Sequence, residues 1–529
     1  MDRDYDNKPC AEHTEATLDA MGIGPVEAEM GVQLINSERN MTLWQASQAQ
    51  WRMLCYASAA FLVGACFGYD GIINGASIAM PAFTLYFGDT TPDGQTYLPS
   101  VWTSLWTAMT GLAQALGGFG IGFVMDRLGR KWAMVGMAMF SVAGVAVQFV
   151  ANSRGTLLAG KMLNGLAIGA LFAIATAWAS EISSARLRGI IQSSLILFQT
   201  CMQMLGLGII RALIADVRPR AFKTAFAIQW PLAAVLVLVF PFVPESPVYL
   251  INKGRLEEAK RSIATIYGKT NSIDARFAHL VGMIRHENSG HEVAAGGYLD
   301  CFKGTDLRRT LSVIFVISGL NICGAQLLTQ NIYFLLIAGL PVEHTFDIGI
   351  GGFALSICLV IASWTVLEKL GRRALFLSGP LISAVLLFVI GGLYYVSGVG
   401  AVWAIAVMMN LLIAWGVVTF LSAGWALTAE LSTYRLRAKT QSIAVVSNAI
   451  VQWAFSFVTP YIYNIDAANL GARTGFVYGA LATIYLAAAF WIVPETKGLS
   501  VAEVDWMFEN KVSSRQFQTM KDQARAAAA

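Results

Sequence analysis

Apolar residues in this chain run together in long unbroken stretches, and short clusters between them hold most of the charge. A stretch of about twenty residues crosses a ~30 Å hydrocarbon layer as a helix, because a helix satisfies its backbone polar groups internally. The pattern predicts twelve such spans, at 54–84, 99–123, 132–151, 157–179, 189–213, 227–243, 309–338, 347–367, 374–396, 402–428, 438–460 and 474–493. Six precede a long polar segment and six follow it. The expected fold class is an all-α polytopic membrane protein. Its expected parts are a tail at 1–53, a six-helix bundle at 54–243, a helical linker at 244–308, a second six-helix bundle at 309–493 and a tail at 494–529.

Composition agrees: 56% of residues are hydrophobic and 13% charged, outside the range of soluble domains. Charge then orients the spans. With the N-terminus inside, the short inner loops hold Arg127, Arg130, Lys131, Arg186, Arg188, Lys369, Arg372, Arg373, Arg435, Arg437 and Lys439, against Arg154, Arg218, Arg220, Lys223 and Arg473 outside. The Lys/Arg excess predicts that both termini are cytoplasmic. The opening "MDRDYDNKPCAEHTEATLDAM" is acidic and polar and does not read as a cleavable signal peptide. A formal charge of +4 gives no basis for nucleic-acid binding.

Cys55, Cys66, Cys201, Cys323 and Cys358 fall within spans and Cys10 and Cys301 in polar segments, with no C-x-x-C spacing, so free thiols are expected. His13, His279, His286, His291 and His344 lie outside the spans, which argues against a metal site or a histidine relay in the membrane. "NMT" at Asn40 matches a glycosylation sequon but falls on the expected cytoplasmic side. In the linker, "RLEEAKRSIATIYG" places Leu256, Ala259, Ile263 and Tyr267 on one side of a helix, with Glu257 and Arg261 one turn apart.

Three signals occur twice. "DRLGRK" (126–131) returns as "EKLGRR" (368–373), "EISSARLR" (181–188) as "ELSTYRLR" (430–437), and "PES" (244–246) as "PET" (494–496). Each follows the second, fourth or sixth span of its half, so the halves share one topology as parallel repeats.

These repeated motifs resemble the major facilitator superfamily, in its sugar porter branch. "MTLWQA" (41–46), "GYD" (68–70), "MPAFTLYFG" (80–88), "PESPVYLINKGRLEEAKRSI" (244–263) and "YFLLIAGL" (333–340) are similar to the fungal maltose and α-glucoside permeases. The resemblance covers about 40–510. It implies two six-helix bundles that rock about a central site. It also implies a cytoplasmic ion-pair latch, drawn here from Asp126, Arg130, Glu181, Arg188, Glu245, Glu368, Arg372, Glu430 and Arg437, that holds the halves together inside while the outside is open. Simple anchoring by positive loops explains the arginines but not the acids repeated at matching offsets.

"GACFGYDGIIN" places Asp70 in the first span, where an ionised acid costs at least ~2.5–3.5 kcal/mol. The resemblance implies that it faces the fourth span, where proton-coupled members usually carry arginine. Here that position is Lys161, a point charge without a bidentate fork. Proton coupling through Asp70 and Lys161 is expected; a permanent structural pair in a facilitator is the alternative. For the sugar, the resemblance implies Asn321 and Gln326 on the seventh span, Trp425 on the tenth and Asn448 on the eleventh, with Leu320 and Ile196 standing where the family has amides. Gln192, Gln199 and Gln203 form a stripe on the fifth span, serving either the cavity or neighbouring helices. Tyr333 and Phe334 follow as gate aromatics.

The sequence thus reads as a sugar:proton symporter, importing an α-glucoside such as maltose, with no cofactor beyond the proton gradient, no metal and no enzymatic step. It is expected as a monomer in the plasma membrane, its partners being the sugar, the proton and the bilayer. A uniporter or symporter of a hexose, polyol or other polyhydroxy metabolite remains open, as does a non-transporting sugar sensor.

Overall fold

The computed structural model describes residues 30–528 apart from 32, 35–36, 39–40, 91–95, 185, 269–272, 295–297, 338, 370, 397, 433–435, 465, 497–498 and 500, and describes backbone alone at 189, 283, 285–294, 298, 329, 337, 363–369, 421–422, 426, 429, 437–438, 501–502 and 525–528. Cys10, His13, Asn40 and the side chains of His286, His291, Glu368 and Arg437 therefore lie outside the described residues.

Among the described residues, twelve helices are long and apolar enough to cross a membrane. They are α1 (Trp51–Ala79), α2 (Ser100–Leu128), α3 (Arg130–Val150), α4 (Arg154–Ile182), α5 (Ile190–Leu213), α6 (Arg220–Phe242), α7 (Gly304–Leu328), α8 (Val342–Ala362), α9 (Arg372–Leu393), α10 (Val399–Phe420), α11 (Lys439–Tyr463) and α12 (Gly471–Ile492). A short helix, Asn331–Ile337, follows α7, and Gly424–Leu431 continues α10. The predicted span at 309–338 therefore divides in two.

Neighbours repeat between the halves. α1 packs on α5 as α7 packs on α11, α2 on α4 as α8 on α10, and α3 on α6 as α9 on α12. The main contacts between halves, α2 with α11 and α5 with α8, exchange under the same pseudo-twofold operation. Small residues let these helices approach closely. At Gly169 a Cβ would collide with the backbone of Gln114, so α2 and α4 meet there, and this contact sets the position of the Gln114 side chain.

The polar segment between the bundles folds into the helices Pro247–Asn252, Leu256–Tyr267 and Ile273–Ala294. Ala259, Ile263 and Phe277 form a small core of their own. Glu38, from the segment before α1, pairs with Arg276 among these helices, both side chains nearly buried. The helix Val501–Glu509 packs beneath α7, where Phe508 joins Val313 and Leu431 and Arg309 pairs with Asp505.

Candidate functional site

Asp70 is buried on α1, and amides hold it. Asn164 Nδ2 on α4 donates to Oδ1 at 2.7 Å, and Gln114 Nε2 on α2 donates to Oδ2 at 3.0 Å. Asn164 also donates to Gln229 Oε1 on α6 at 2.8 Å and accepts from Ser141 Oγ on α3 at 2.6 Å. One carboxylate thus gathers five helices of the first half into a polar network. The network ends at a small cavity lined by Cys66, Ser141 and Gln229, where Gln229 Nε2 has no partner among the described residues.

Lys161 is fully buried one turn from Asn164, and among the described residues its ammonium makes no direct ion pair with Asp70. Its Nζ reaches the carbonyl of Asn74 at 3.5 Å and lies 5.7 Å from the centre of the Phe226 ring. The expected neutralising contact is replaced by amides, which solvate an acid in both forms: N–H groups serve the anion, and amide oxygens can take the acid's own O–H.

The second half presents the other polar group. α7 unwinds at Asn321–Ala325, where Gly324 takes φ +100°, a conformation that disfavours a side chain. Unwound backbone at this depth is a feature of transporter binding sites. Around the break, Asn321 Nδ2 donates to Asn448 Oδ1 at 2.8 Å and Gln326 Nε2 to Asn321 Oδ1 at 3.0 Å, while Ser456 Oγ donates to Gln326. A π-helical segment, Val417–Ala423, interrupts α10 just before Trp425, which is 37% exposed.

The glutamines of α5 separate by register with the other half. Gln192 Nε2 donates to the Thr176 carbonyl of α4 at 2.9 Å, and Gln441 Nε2 makes the same tie to Thr428 in the second half, also at 2.9 Å. Gln192 therefore clips α5 to α4 through its Nε2, as Gln441 does in the second half. The offset that relates Gln192 to Gln441 relates Gln199 to Asn448 and Gln203 to Gln452. Gln199, Gln203 and Gln452 are part-buried and make no hydrogen bond among the described residues. Gln203 Nε2 lies beside exposed Gly71, the residue after Asp70. Sequence reasoning missed Gln452, although it falls one turn from both Asn448 and Ser456.

The face carrying the arginine-rich loops shows a clasp built twice. Arg130 pairs with Glu181 at 2.8 Å and Arg372 with Glu430 at 3.3 Å. Ser246 and Thr496 donate to those same two carboxylates. Glu245 does not pair with an arginine side chain; it accepts the backbone N–H groups of Arg130 and Ser246, each at 2.9 Å, capping α3. Glu495 takes the N–H of Arg372 at 3.1 Å in the same way. A Cβ at Gly129 or Gly371 would strike these carboxylates, which explains both glycines. Each ion pair lies within one half, so the members expected to bridge the halves clasp each half to itself. Asp126 and Arg188 are exposed and make no ion pair among the described residues.

The halves are tied at the opposite face. Ser100 on α2 donates both its N–H, at 2.7 Å, and its hydroxyl to Asp466, just after α11. Asn464 donates to the Leu98 carbonyl at 2.8 Å and Ser104 to the Phe457 carbonyl at 2.8 Å. Tyr333 and Phe334 are buried in this seam, where the Tyr333 hydroxyl accepts the Leu98 N–H at 3.3 Å. Arg211 of α5 reaches Asp347 of α8 at 3.1 Å.

Residues 56–508 match the family model described as sugar (and other) transporter. The chain is 38% identical to the MFS transporter fmqE of Aspergillus fumigatus, covering 92% of this chain and 93% of that one. It is 27% identical to a general alpha-glucoside permease of Saccharomyces cerevisiae, over 98% of this chain and 83% of the relative. Among solved structures it resembles the xylose transporter XylE from E. coli in a partially occluded inward open conformation. The TM-score there is 0.68 at 17% identity, covering 85% of this chain and 99% of that one. The twelve helices, the duplicated motifs and these matches place the chain in the sugar transporter family of the major facilitator superfamily, as a multi-pass membrane transporter and not an enzyme.

Proposed function

We propose that this transporter imports a sugar, an α-glucoside such as maltose, together with a proton, by alternating access. The observation that carries the reading is the Asp70 carboxylate, buried on α1 and held at both oxygens by amides of α2 and α4. An acid is costly at bilayer depth and is kept for a task. Protonation cancels its charge, changes which amide groups it can bond, and so alters how α1, α2 and α4 hold together. A membrane potential supplies roughly 2.3 kcal/mol per charge per 100 mV to drive such a cycle. No cofactor takes part.

The sugar sits between the halves. Asn321, Gln326, Asn448 and Gln452 face Gln199 and Gln203 across the pseudo-twofold axis, and Trp425 covers the C–H surface of a ring. The arginine-rich face is cytoplasmic, as are both termini, and the protein works as a monomer in the plasma membrane. In this arrangement the outer seam is closed and the cytoplasmic clasps are turned inward on their own halves, as suits a carrier about to release its load.

A second reading rests on the pocket's departures. Ile196 and Leu320 stand where sugar porters carry amides, and the relative at 38% identity is named without a substrate. Another polyhydroxy metabolite, less polar than maltose, fits those positions. The test is radiolabelled uptake over a panel of sugars and polyols at two external pH values, in cells lacking their own carriers, with Asp70→Asn alongside. Accumulation that rises at low pH in the parent and vanishes in the variant supports the reading. Accumulation that survives Asp70→Asn removes the proton from it, and binding without uptake makes the protein a sensor.

A further inference from the structure

We propose that Asp466 is the lock of the outer gate: it caps α2 from across the interface between the halves, and thereby sets how often the carrier opens outward. Helix α2 has no cap of its own. Pro99 holds the N-cap position and offers no side-chain hydrogen bond; its carbonyl takes the Trp102 and Thr103 N–H groups, which leaves the Ser100 N–H at the helix start without a local acceptor. The acceptor comes from the other half of the molecule. Asp466 Oδ2 takes the Ser100 N–H at 2.7 Å, and Oδ1 takes the Ser100 hydroxyl. A carboxylate at a helix N-terminus gains both hydrogen bonds and the favourable end of the helix dipole.

The neighbouring contacts aim the carboxylate. Asn464, fully buried, donates to the Leu98 carbonyl and to Ser100 Oγ, fixing the chain just before Asp466. Tyr463 donates to Gln330 at 2.6 Å, and Gln330 reaches Thr107, two turns along α2 from Ser100. Asp466 itself is exposed, so water can replace Ser100 when the halves part. A lock of this kind can be broken and remade in every cycle, which a buried ion pair could not.

The internal repeat supplies the control. Asp216 is the carboxylate at the matching end of the first half, three residues after α5 as Asp466 is three residues after α11, and one position from Asp466's counterpart by the offset that relates the helices. It turns back instead, accepting the Arg218 N–H at 3.0 Å and pairing with Arg220 at 2.6 Å in its own half. The tie between α5 and α8 is left to Arg211 with Asp347 and Glu343, an exposed group of charges of little strength. The capping lock is therefore one-sided, and Asp466 carries it.

Asp466 is a positioning residue, acting through Ser100 and touching no substrate. That the seam faces outward rests on the orientation proposed above, but the test does not depend on it. Spin labels at Leu85→Cys in the first half and Ala468→Cys in the second, both exposed at this face, report the distance across the seam in detergent and in nanodiscs. The expected result is that Asp466→Asn and Ser100→Ala each raise the open population about tenfold, a typical loss for a charged cap. Asp466→Glu restores part of the closed population, and Asp216→Asn leaves it unchanged. Uptake by Asp466→Asn should show a lower external KM with a lower turnover. Distances identical to the parent in both Asp466→Asn and Ser100→Ala overturn the proposal, and so does an equal shift in Asp216→Asn. Failure of sugar uptake in the parent would strike the function proposed above and leave these distances as they are.

Discussion

Asn164, not Lys161, is the α4 residue that touches the Asp70 carboxylate, its Nδ2 donating to Oδ1 at 2.7 Å. The lysine one turn away supplies charge without a bond. The two residues therefore serve the acid differently: one fixes its position, and the other sets the electrostatic cost of changing its protonation.

Substitution separates those roles. Asn164→Leu keeps the branched shape and the number of side-chain heavy atoms but strips bonds from Asp70, Gln229 and Ser141, leaving buried polar groups unpaired at about 1–3 kcal/mol each. It is expected to lower the melting temperature in detergent and to abolish proton-driven accumulation together. Lys161→Met removes a buried charge but breaks no hydrogen bond to the acid, so it is expected to cost less stability than Asn164→Leu, although it leaves Asp70 without its nearby countercharge. Its uptake should lose dependence on external pH. Equal thermal destabilisation by both variants would mean that Lys161 is as structural as Asn164.

Four of the five glutamines of α5 and α11 divide in the same manner. Gln192→Ala and Gln441→Ala cut the clips to Thr176 and Thr428, at about 1 kcal/mol each, and should lower thermal stability while KM stays put. Gln203→Ala and Gln452→Ala, which give up no internal bond, should leave stability unchanged and raise KM about five- to tenfold. The measurement is a melting curve beside an uptake titration for each variant. The reverse pattern would show that the register between halves has been misassigned.

The two motif glycines should differ in cost although both cradle a carboxylate. Gly129 has φ +86° and ψ 173°, a region closed to other residues, whereas Gly371 has φ −67° and ψ 149°, open to all. Gly129→Ala thus meets backbone strain of about 1–3 kcal/mol in addition to crowding Glu245, and Gly371→Ala meets only the crowding of Glu495. Thermal denaturation is expected to rank Gly129→Ala well below Gly371→Ala.

How much of this was legible in the chain depends on whether the signal is one-dimensional. Spans and repeats are: an apolar run and a motif copied at a fixed offset need no third dimension. The clasp was half legible. Acids and arginines at matching offsets announced ion pairs, but spacing says nothing of which half each carboxylate turns to, and Glu245 found backbone N–H groups at a helix start instead of a guanidinium. The stripe of Gln192, Gln199 and Gln203 looked uniform because helical periodicity gives a face and not a neighbour; only the Thr176 carbonyl separates Gln192 from the rest. Asn164 escaped notice because a neutral amide in a span looks inexpensive beside a charge. Ser100 and Asp466 belong to no motif and are 366 residues apart, so nothing local joins them.

Acidification should loosen the docking of the segment before α1. Gly31 rests against His279 of the linker, close to the Glu38–Arg276 pair, and the Arg276 guanidinium lies 3.7 Å from the centre of the Tyr267 ring. Burial holds the His279 pKa below its ordinary value, Arg276 pushes the same way, and Glu38 opposes them. The docked state thus prefers the neutral imidazole. A released segment returns His279 toward its ordinary value near 6.5. The free form then binds more protons over the interval between the two values, so docking gains strength as pH rises through it. Docking is at full strength above about pH 6.5 and weakens as pH falls through the lowered value. Hydrogen exchange of segment 41–50 and the linker helices at pH 7.5 and 5.5 should show faster opening at the lower pH. His279→Gln, which cannot take a proton, should remove the difference. An unchanged pH response in that variant would show that His279 is not its source.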